Sequence, residues 1–225
     1  MVGKTGVGKS TLLAKLALQD AQQGRGFALI DPHGDLVERV YAELPAPARD
    51  RVVSLAAPDP RQPFGYNPLR RVAAERIPLA ASGLLETFRK LWPNAWGVRM
   101  EHVLRNSLYA LLEQDGATLP DILRLYSDHA FRQGVVARIG NPVVRAFWRD
   151  EFENYHPRQQ AEATAPIQNK LGALLADPML YRVLVAPKVD LRLRRLMDEG
   201  RILLVNLARG RIGEDSALEI GRAHV

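Results

Sequence analysis

The sequence predicts an α/β fold interrupted by a mostly helical segment, on three observations. A helical pattern at 9–23 leads into a short, uniformly apolar run at 27–30, as a strand buried on both faces requires. From about residue 72 to 180 apolar residues recur at helical spacing, with few strand-like runs. After Gly200, the apolar run from Ile202 to Leu207 reads as a return to the sheet.

The elements follow in order. In the first helix Leu12, Leu13, Leu16 and Ala17 form the apolar stripe, and Gly24 closes the helix. The 27–30 strand ends in the turn Asp31, Pro32, His33, Gly34, followed by a helix at 35–43 and a strand at 51–55 that enters a Pro-rich stretch at 58–68. Helices are expected at 79–91, 98–114, 120–127, 129–138, 142–153 and 159–176, the second with a stripe of Val98, Val103, Leu104, Leu108, Leu111 and Leu112. The domain reading is thus 1–71 for the first part of an α/β core, 72–185 for a helical insertion and 186–218 for the return to the core. Residues 219–225 resemble the translated read-through of a sequencing adapter and carry no functional expectation.

Composition narrows the function classes. With 225 residues, 47% apolar and 25% charged, the chain is long enough for a sizeable core and is neither collagenous nor a disordered tail. It has no cysteine, which excludes disulfide scaffolds, cysteine metal sites and thiol nucleophiles and suits a reducing compartment. No run of 18 apolar residues is present to span a bilayer. The net charge of +6 permits polyanionic partners without requiring them.

The strongest chemical signal is at the start. Gly3, Lys4, Thr5, Gly6, Val7, Gly8, Lys9 and Ser10 place a glycine, four residues, then Gly-Lys-Ser directly before a helical pattern. Glycines let the backbone turn tightly with its N–H groups inward, and the helix start adds unpaired donors and a positive dipole end, so the segment forms an anion cradle. Lys9 is expected to reach the β- and γ-phosphates of ATP, the Ser10 hydroxyl to ligate Mg²⁺, and Thr11 to sit near the α-phosphate. A strand normally precedes such a loop, yet Gly3 stands two residues into the chain, so the expected core lacks its first strand.

Hydrolysis also needs an acid to support Mg²⁺ and a group to orient water. Asp31 closes a predicted strand at the sheet edge where ligands bind, so it has two readings, a water or Mg²⁺ contact or a cap for the helix after Pro32. His33, beside it, is a polar neighbour. His102, His129 and His156 are isolated in sequence, and nothing points to zinc. The pair Asp198 and Glu199 lies in an Arg-rich helical segment before a strand and reads as a decoy for the missing acidic pair.

The loop, the Asp31 to Gly34 turn with Asp35 and Leu36, the 64–69 segment with Asn67, Pro68 and Leu69, Trp92 and Pro93 near Trp96 to Arg99, Phe147 and Trp148, and the 201–213 segment together resemble the ATPases of type IV secretion and conjugative DNA transfer, within the FtsK-HerA-like group of P-loop motors. The resemblance covers most of the chain. It implies a RecA-like core with an inserted all-helical domain, ATP and Mg²⁺ as cofactors, a homo-hexamer, DNA as the translocated substrate, and a cytoplasmic position at the inner face of the membrane beside a secretion apparatus. It also implies a Walker B acidic pair on a later strand, which this sequence does not reach.

Basic clusters for DNA phosphates are Arg70 and Arg71, and Arg192, Arg194 and Arg195, with a solvated surface as the plainer reading. Arginine fingers are implied by the resemblance, with Arg194, Arg195, Arg209 and Arg211 unranked. Trp92, Trp96 and Trp148 are expected as packing anchors before base-stacking platforms. Two alternatives stay open, a nucleotide-dependent assembly or anchoring protein without DNA transport, and, more weakly, a small-metabolite kinase using the same loop.

Overall fold

A computed structural model describes residues 8–208. In chain order the elements are α1 (Lys9–Gln22), β1 (Phe27–Asp31), α2 (Asp35–Glu43), α3 (Ala46–Arg49), β2 (Val52–Ala56), β3 (Phe64–Gly65), α4 (Ile77–Leu91), α5 (Val98–Leu112), α6 (Leu119–Ser127), α7 (His129–Val136), α8 (Pro142–Ala146), α9 (Pro157–Ala176), α10 (Pro178–Leu184), β4 (Val189–Asp190), α11 (Leu193–Asp198) and β5 (Ile202–Asn206). The described residues form two compact units, one of residues 8–66 and 187–208, the other of residues 67–186. The chain is thus a mixed α/β protein with small parallel sheets and many helices.

In the first unit β5 is the centre of a three-stranded parallel sheet, in the order β1-β5-β2. Ala28 and Val53 both pair with Leu203, and Asp31 and Ala56 both pair with Asn206. Four successive residues of β5, Ile202 to Val205, are buried, which explains why this strand has no polar alternation. β3 and β4 form a separate parallel pair.

α1 corrects the sequence expectation for its stripe. Its buried residues are Ala14, Ala17 and Ala21, which share a core cluster with Val37 and Val40 of α2 and Ile202 and Leu204 of β5. Leu12, Leu13 and Leu16 are instead 45%, 41% and 49% exposed. The helix has two apolar faces, and the alanine face is the one whose small side chains let it approach sheet and helix closely. Gly24, at φ 75°, closes α1 as expected.

The second unit is helical. Its centre is α5, where Val103, Leu104, Leu108, Leu111 and Leu112 are completely buried, while Val98, at the first position of the helix, is 90% exposed and leaves the expected stripe. The expected 142–153 helix is shorter: α8 ends at Ala146 and runs into a π-helical turn, Phe147–Glu151, and a 3-10 turn, Phe152–Asn154. The ring cluster of Phe147, Trp148, Phe152 and Tyr126 packs around this turn, with the Trp148 and Phe152 centroids 4.8 Å apart. Trp92 stacks on Phe88 at 4.6 Å. Trp92 and Trp148 are both buried, so these two rings are packing anchors. Trp96 is half-buried and donates from Nε1 to Glu101 at 2.8 Å.

At the start of this unit Asn67 fixes the turn before α4. Its Oδ1 accepts from the Leu69 N–H at 3.0 Å, and its Nδ2 donates to the Ala117 carbonyl at 2.8 Å.

Candidate functional site

The three parallel strands end together, so Asp31, Ala56 and Asn206 stand on one edge of the sheet, the edge that binds ligands in open α/β sheets. At the opposite edge the Arg51 guanidinium bonds the Ala21 and Gly24 carbonyls at the end of α1 and the Gly200 carbonyl before β5. The last turn of α1 is held there, and Ala14, Ala17 and Ala21 pack in one core cluster with Ile202 and Leu204 of β5.

Of the phosphate-loop residues, Gly3, Lys4, Thr5, Gly6 and Val7 lie outside the described residues. Gly8 precedes α1 in the left-handed region, at φ 78° and ψ 15°. A Cβ built on it meets none of the described residues within 4 Å, and the backbone angle by itself favours glycine here. The Gly8 carbonyl accepts the first helical bond, from the Leu12 N–H at 3.0 Å. A helix start leaves its first amides without acceptors inside the helix, and among the described residues no side chain caps it and no acidic residue stands in the first turn. That combination suits an anion. Ser10 and Thr11 are exposed and Lys9 is half-buried.

Among the described residues, the donors at the start of α1 are of the kind that could hold a magnesium nucleotide. The Ser10 and Thr11 hydroxyls are both exposed, and a hydroxyl is the kind of hard oxygen ligand that Mg²⁺ takes singly while phosphates and water complete its shell. Among the described residues no group of three His, Cys, Asp or Glu side chains could hold a metal ion by itself.

The Asp31 carboxylate is 6% exposed and accepts three backbone N–H bonds. His33 donates at 2.9 Å to one oxygen, and Leu36 and Val37 donate at 2.8 and 3.3 Å to the other. A carboxylate offers about four acceptor sites. Most of them are therefore used by the start of α2, and of the two readings of Asp31 the cap is the one its bonds describe. His33 is exposed beside it.

Asn206 is the site residue that sequence reasoning missed. It ends the central strand, and its Oδ1 accepts from the Ala208 N–H at 2.9 Å. Gly34, at φ 89°, lies so close that a Cβ there would stand 2.7 Å from Asn206 Oδ1. The turn after β1 and the end of β5 are thus packed on each other, and the Leu207 N–H donates to the Asp31 carbonyl at 2.9 Å. The available signal was a polar residue closing an otherwise apolar strand.

Of the remaining candidates, Asp198 ends α11 and Glu199 caps it, ion-paired to Arg195 at 2.6 Å and to Arg201 at 3.2 Å. The Arg195 guanidinium, then that of Arg201, hold the Glu199 carboxyl below its ordinary range. Arg194 pairs loosely with Asp198 at 3.8 Å, and Arg192 with Asp190 at 3.9 Å. Arg71 pairs with Asp115 at 2.8 Å. Arg209 and Arg211 lie outside the described residues. No family model, no curated protein and no solved structure matches the chain.

Proposed function

We propose that the chain is the ATP-binding part of a hexameric DNA-translocating motor ATPase of the conjugation or type IV secretion kind, with a RecA-like P-loop core and an inserted helical domain. One observation carries the reading. The last glycine of the glycine-rich pattern adopts a left-handed turn directly before a helix whose first residues are Lys9, Ser10 and Thr11, and that helix packs against a parallel sheet whose carboxyl edge carries Asp31 and Asn206. Lys9 and the loop amides would hold the triphosphate, and Ser10 would hold Mg²⁺, which when bound neutralises phosphate charge. Asp31 positions the turn carrying His33 at the same edge. DNA, a secretion apparatus at the inner membrane face and a cytoplasmic setting belong to the proposal through the resemblance alone.

Calorimetric titration of MgATP tests it. Magnesium-dependent uptake that weakens at least tenfold in Lys9→Ala is the expected result, a loss of about 1.4 kcal/mol or more. No uptake, or uptake indifferent to Lys9→Ala, refutes nucleotide binding. DNA-stimulated hydrolysis separates a translocase from an assembly protein, which would oligomerise with ATP and ignore DNA.

A further inference from the structure

The helical unit carries a cleft of about 390 Å³ between α7 and the chain from α8 through the π turn. His129, Arg132 and Val136 line it on the α7 side, and Arg145, Arg149 and Glu153 on the other. The charges are unequally matched. Arg132, whose side chain is 7% exposed, donates from Nε to Glu153 at 2.7 Å and from Nη1 to the Leu125 carbonyl at 2.8 Å, so the one carboxylate of the cleft is already engaged. His129 stands 3.8 Å from the same carboxylate.

Arg145 has no such partner. Its guanidinium is oriented by the Ile139 carbonyl, through Nε at 3.0 Å and through Nη2, and no carboxylate among the described residues lies within ion-pairing distance of it. Arg149 pairs with Asp150, its exposed neighbour in sequence, through Nε at 2.7 Å and Nη2 at 2.9 Å. Both side chains are more than half exposed, so solvent screens the pair and a second carboxylate can compete for the guanidinium. The cleft therefore has an excess of cations beside apolar walls, which concentrate the field.

From this charge pattern we infer that the cleft docks an acidic segment of a partner protein, taking a carboxylate on Arg145 and Arg149 and an apolar side chain against Val136 and Ala137. A neutral carbonyl holds Arg145 in place while leaving its charge available, which lowers the ordering cost of binding. Nucleic acid fits less well. Single strands need exposed aromatic faces to stack on, and Trp148, the aromatic residue of this cleft, is completely buried. The inference concerns the helical unit and does not depend on nucleotide binding.

Fluorescence anisotropy of a labelled peptide of alternating glutamate and leucine, titrated with the full chain, tests it. Binding should saturate, weaken about tenfold in Arg149→Gln and further in the double variant with Arg145→Gln, and be absent for a matched glutamine–leucine peptide. Arg124→Gln, outside the cleft, should leave it unchanged, with circular dichroism checking the fold of each variant. Arg149 is exposed, so its single variant keeps the test decisive if the double variant unfolds. No binding, equal binding of the glutamine peptide, insensitivity to Arg149→Gln, or displacement by a thymidine oligonucleotide would each overturn the inference.

Discussion

Arg51 Nη1 donates to the Gly200 carbonyl oxygen at 2.9 Å, joining residues 149 positions apart. The same guanidinium bonds the carbonyls of Gly24 at 2.9 Å and Ala21 at 3.1 Å, and the Arg51 carbonyl accepts the Ile202 N–H at 3.0 Å. One side chain thus satisfies the last turn of α1 and the segment entering β5, two carbonyl-rich ends that would otherwise need water. Hydrogen bonds to a charged donor contribute about 1.5–3 kcal/mol each where buried, and this group is partly exposed. Arg51→Ala should destabilise the protein by about 2–3 kcal/mol in urea unfolding. Arg51→Lys should recover little of it, because an ammonium cannot reproduce the planar fork.

Gly26 precedes β1 where the backbone of Gly200 and Arg201 passes close by. A Cβ at Gly26 would stand 2.6 Å from the Arg201 carbonyl oxygen and 2.7 Å from the Gly200 carbonyl carbon, both backbone atoms that cannot rotate away. Gly26→Ala should therefore cost about 1–3 kcal/mol, the range of overpacking. Gly83 is the internal control. It lies within α4, a Cβ there meets nothing within 4 Å, and Gly83→Ala should stabilise by about 0.5–1 kcal/mol. Paired urea curves that moved in the same direction would contradict this account.

Local signals in the sequence carried the elements better than the faces. The helix at 35–43 and the strand at 27–30 agree with α2 and β1 to within a residue, since each is bounded by a glycine or by the Asp31 turn. Periodicity ranks leucine above alanine and so selects Leu12, Leu13 and Leu16, whereas Ala14, Ala17 and Ala21 suit the closer contact. The break after Ala146 depends on fitting Phe147, Trp148 and Phe152 around one turn, a tertiary demand with no local mark. α10 lies beyond the helices expected from periodicity, although Asp177 and Pro178 are an N-cap and first-turn pair, Asp177 accepting from the Met179 N–H at 2.8 Å. At the candidate site the helix start at Lys9 and the turn capped by Asp31 are legible from motif and turn chemistry. Asn206 is not, because its closeness to Gly34 arises only when β1 and β5 pair.

Asp31 and the turn it holds give a third prediction. Asp31→Asn keeps the shape but turns an amide NH₂ toward backbone N–H groups that now donate to both carboxylate oxygens. The loss should be about 1–2 kcal/mol, the scale of an N-cap. Gly34→Ala should be at least as costly, since φ 89° and the Asn206 side chain both oppose a Cβ. If Asp31 serves the turn, Asp31→Asn should lower stability while leaving the affinity for MgATP within about twofold of the parent, a difference of about 0.4 kcal/mol. An affinity loss without a stability loss would instead assign the carboxylate to the nucleotide.

Glu101 gives the pH dependence of the helical unit. The Trp96 Nε1–H, then the Arg105 and Arg89 guanidinium groups, donate to its carboxylate and hold its pKa below the ordinary glutamate value despite the opposing effect of burial. A carboxyl with a lowered folded pKa binds fewer protons folded than unfolded. Its contribution to stability is thus fully present above the unfolded value of about 4.3 and is lost as pH falls through the lowered folded value. Thermal unfolding between neutral pH and acid should therefore show a steeper loss of Tm for the parent than for Glu101→Gln, which keeps the side-chain shape but has no charge to titrate. The variant should be less stable at neutral pH, and the two curves should converge in acid. Parallel curves across the acid range would show that the Trp96 and arginine contacts do not favour the ionised carboxylate in the folded protein.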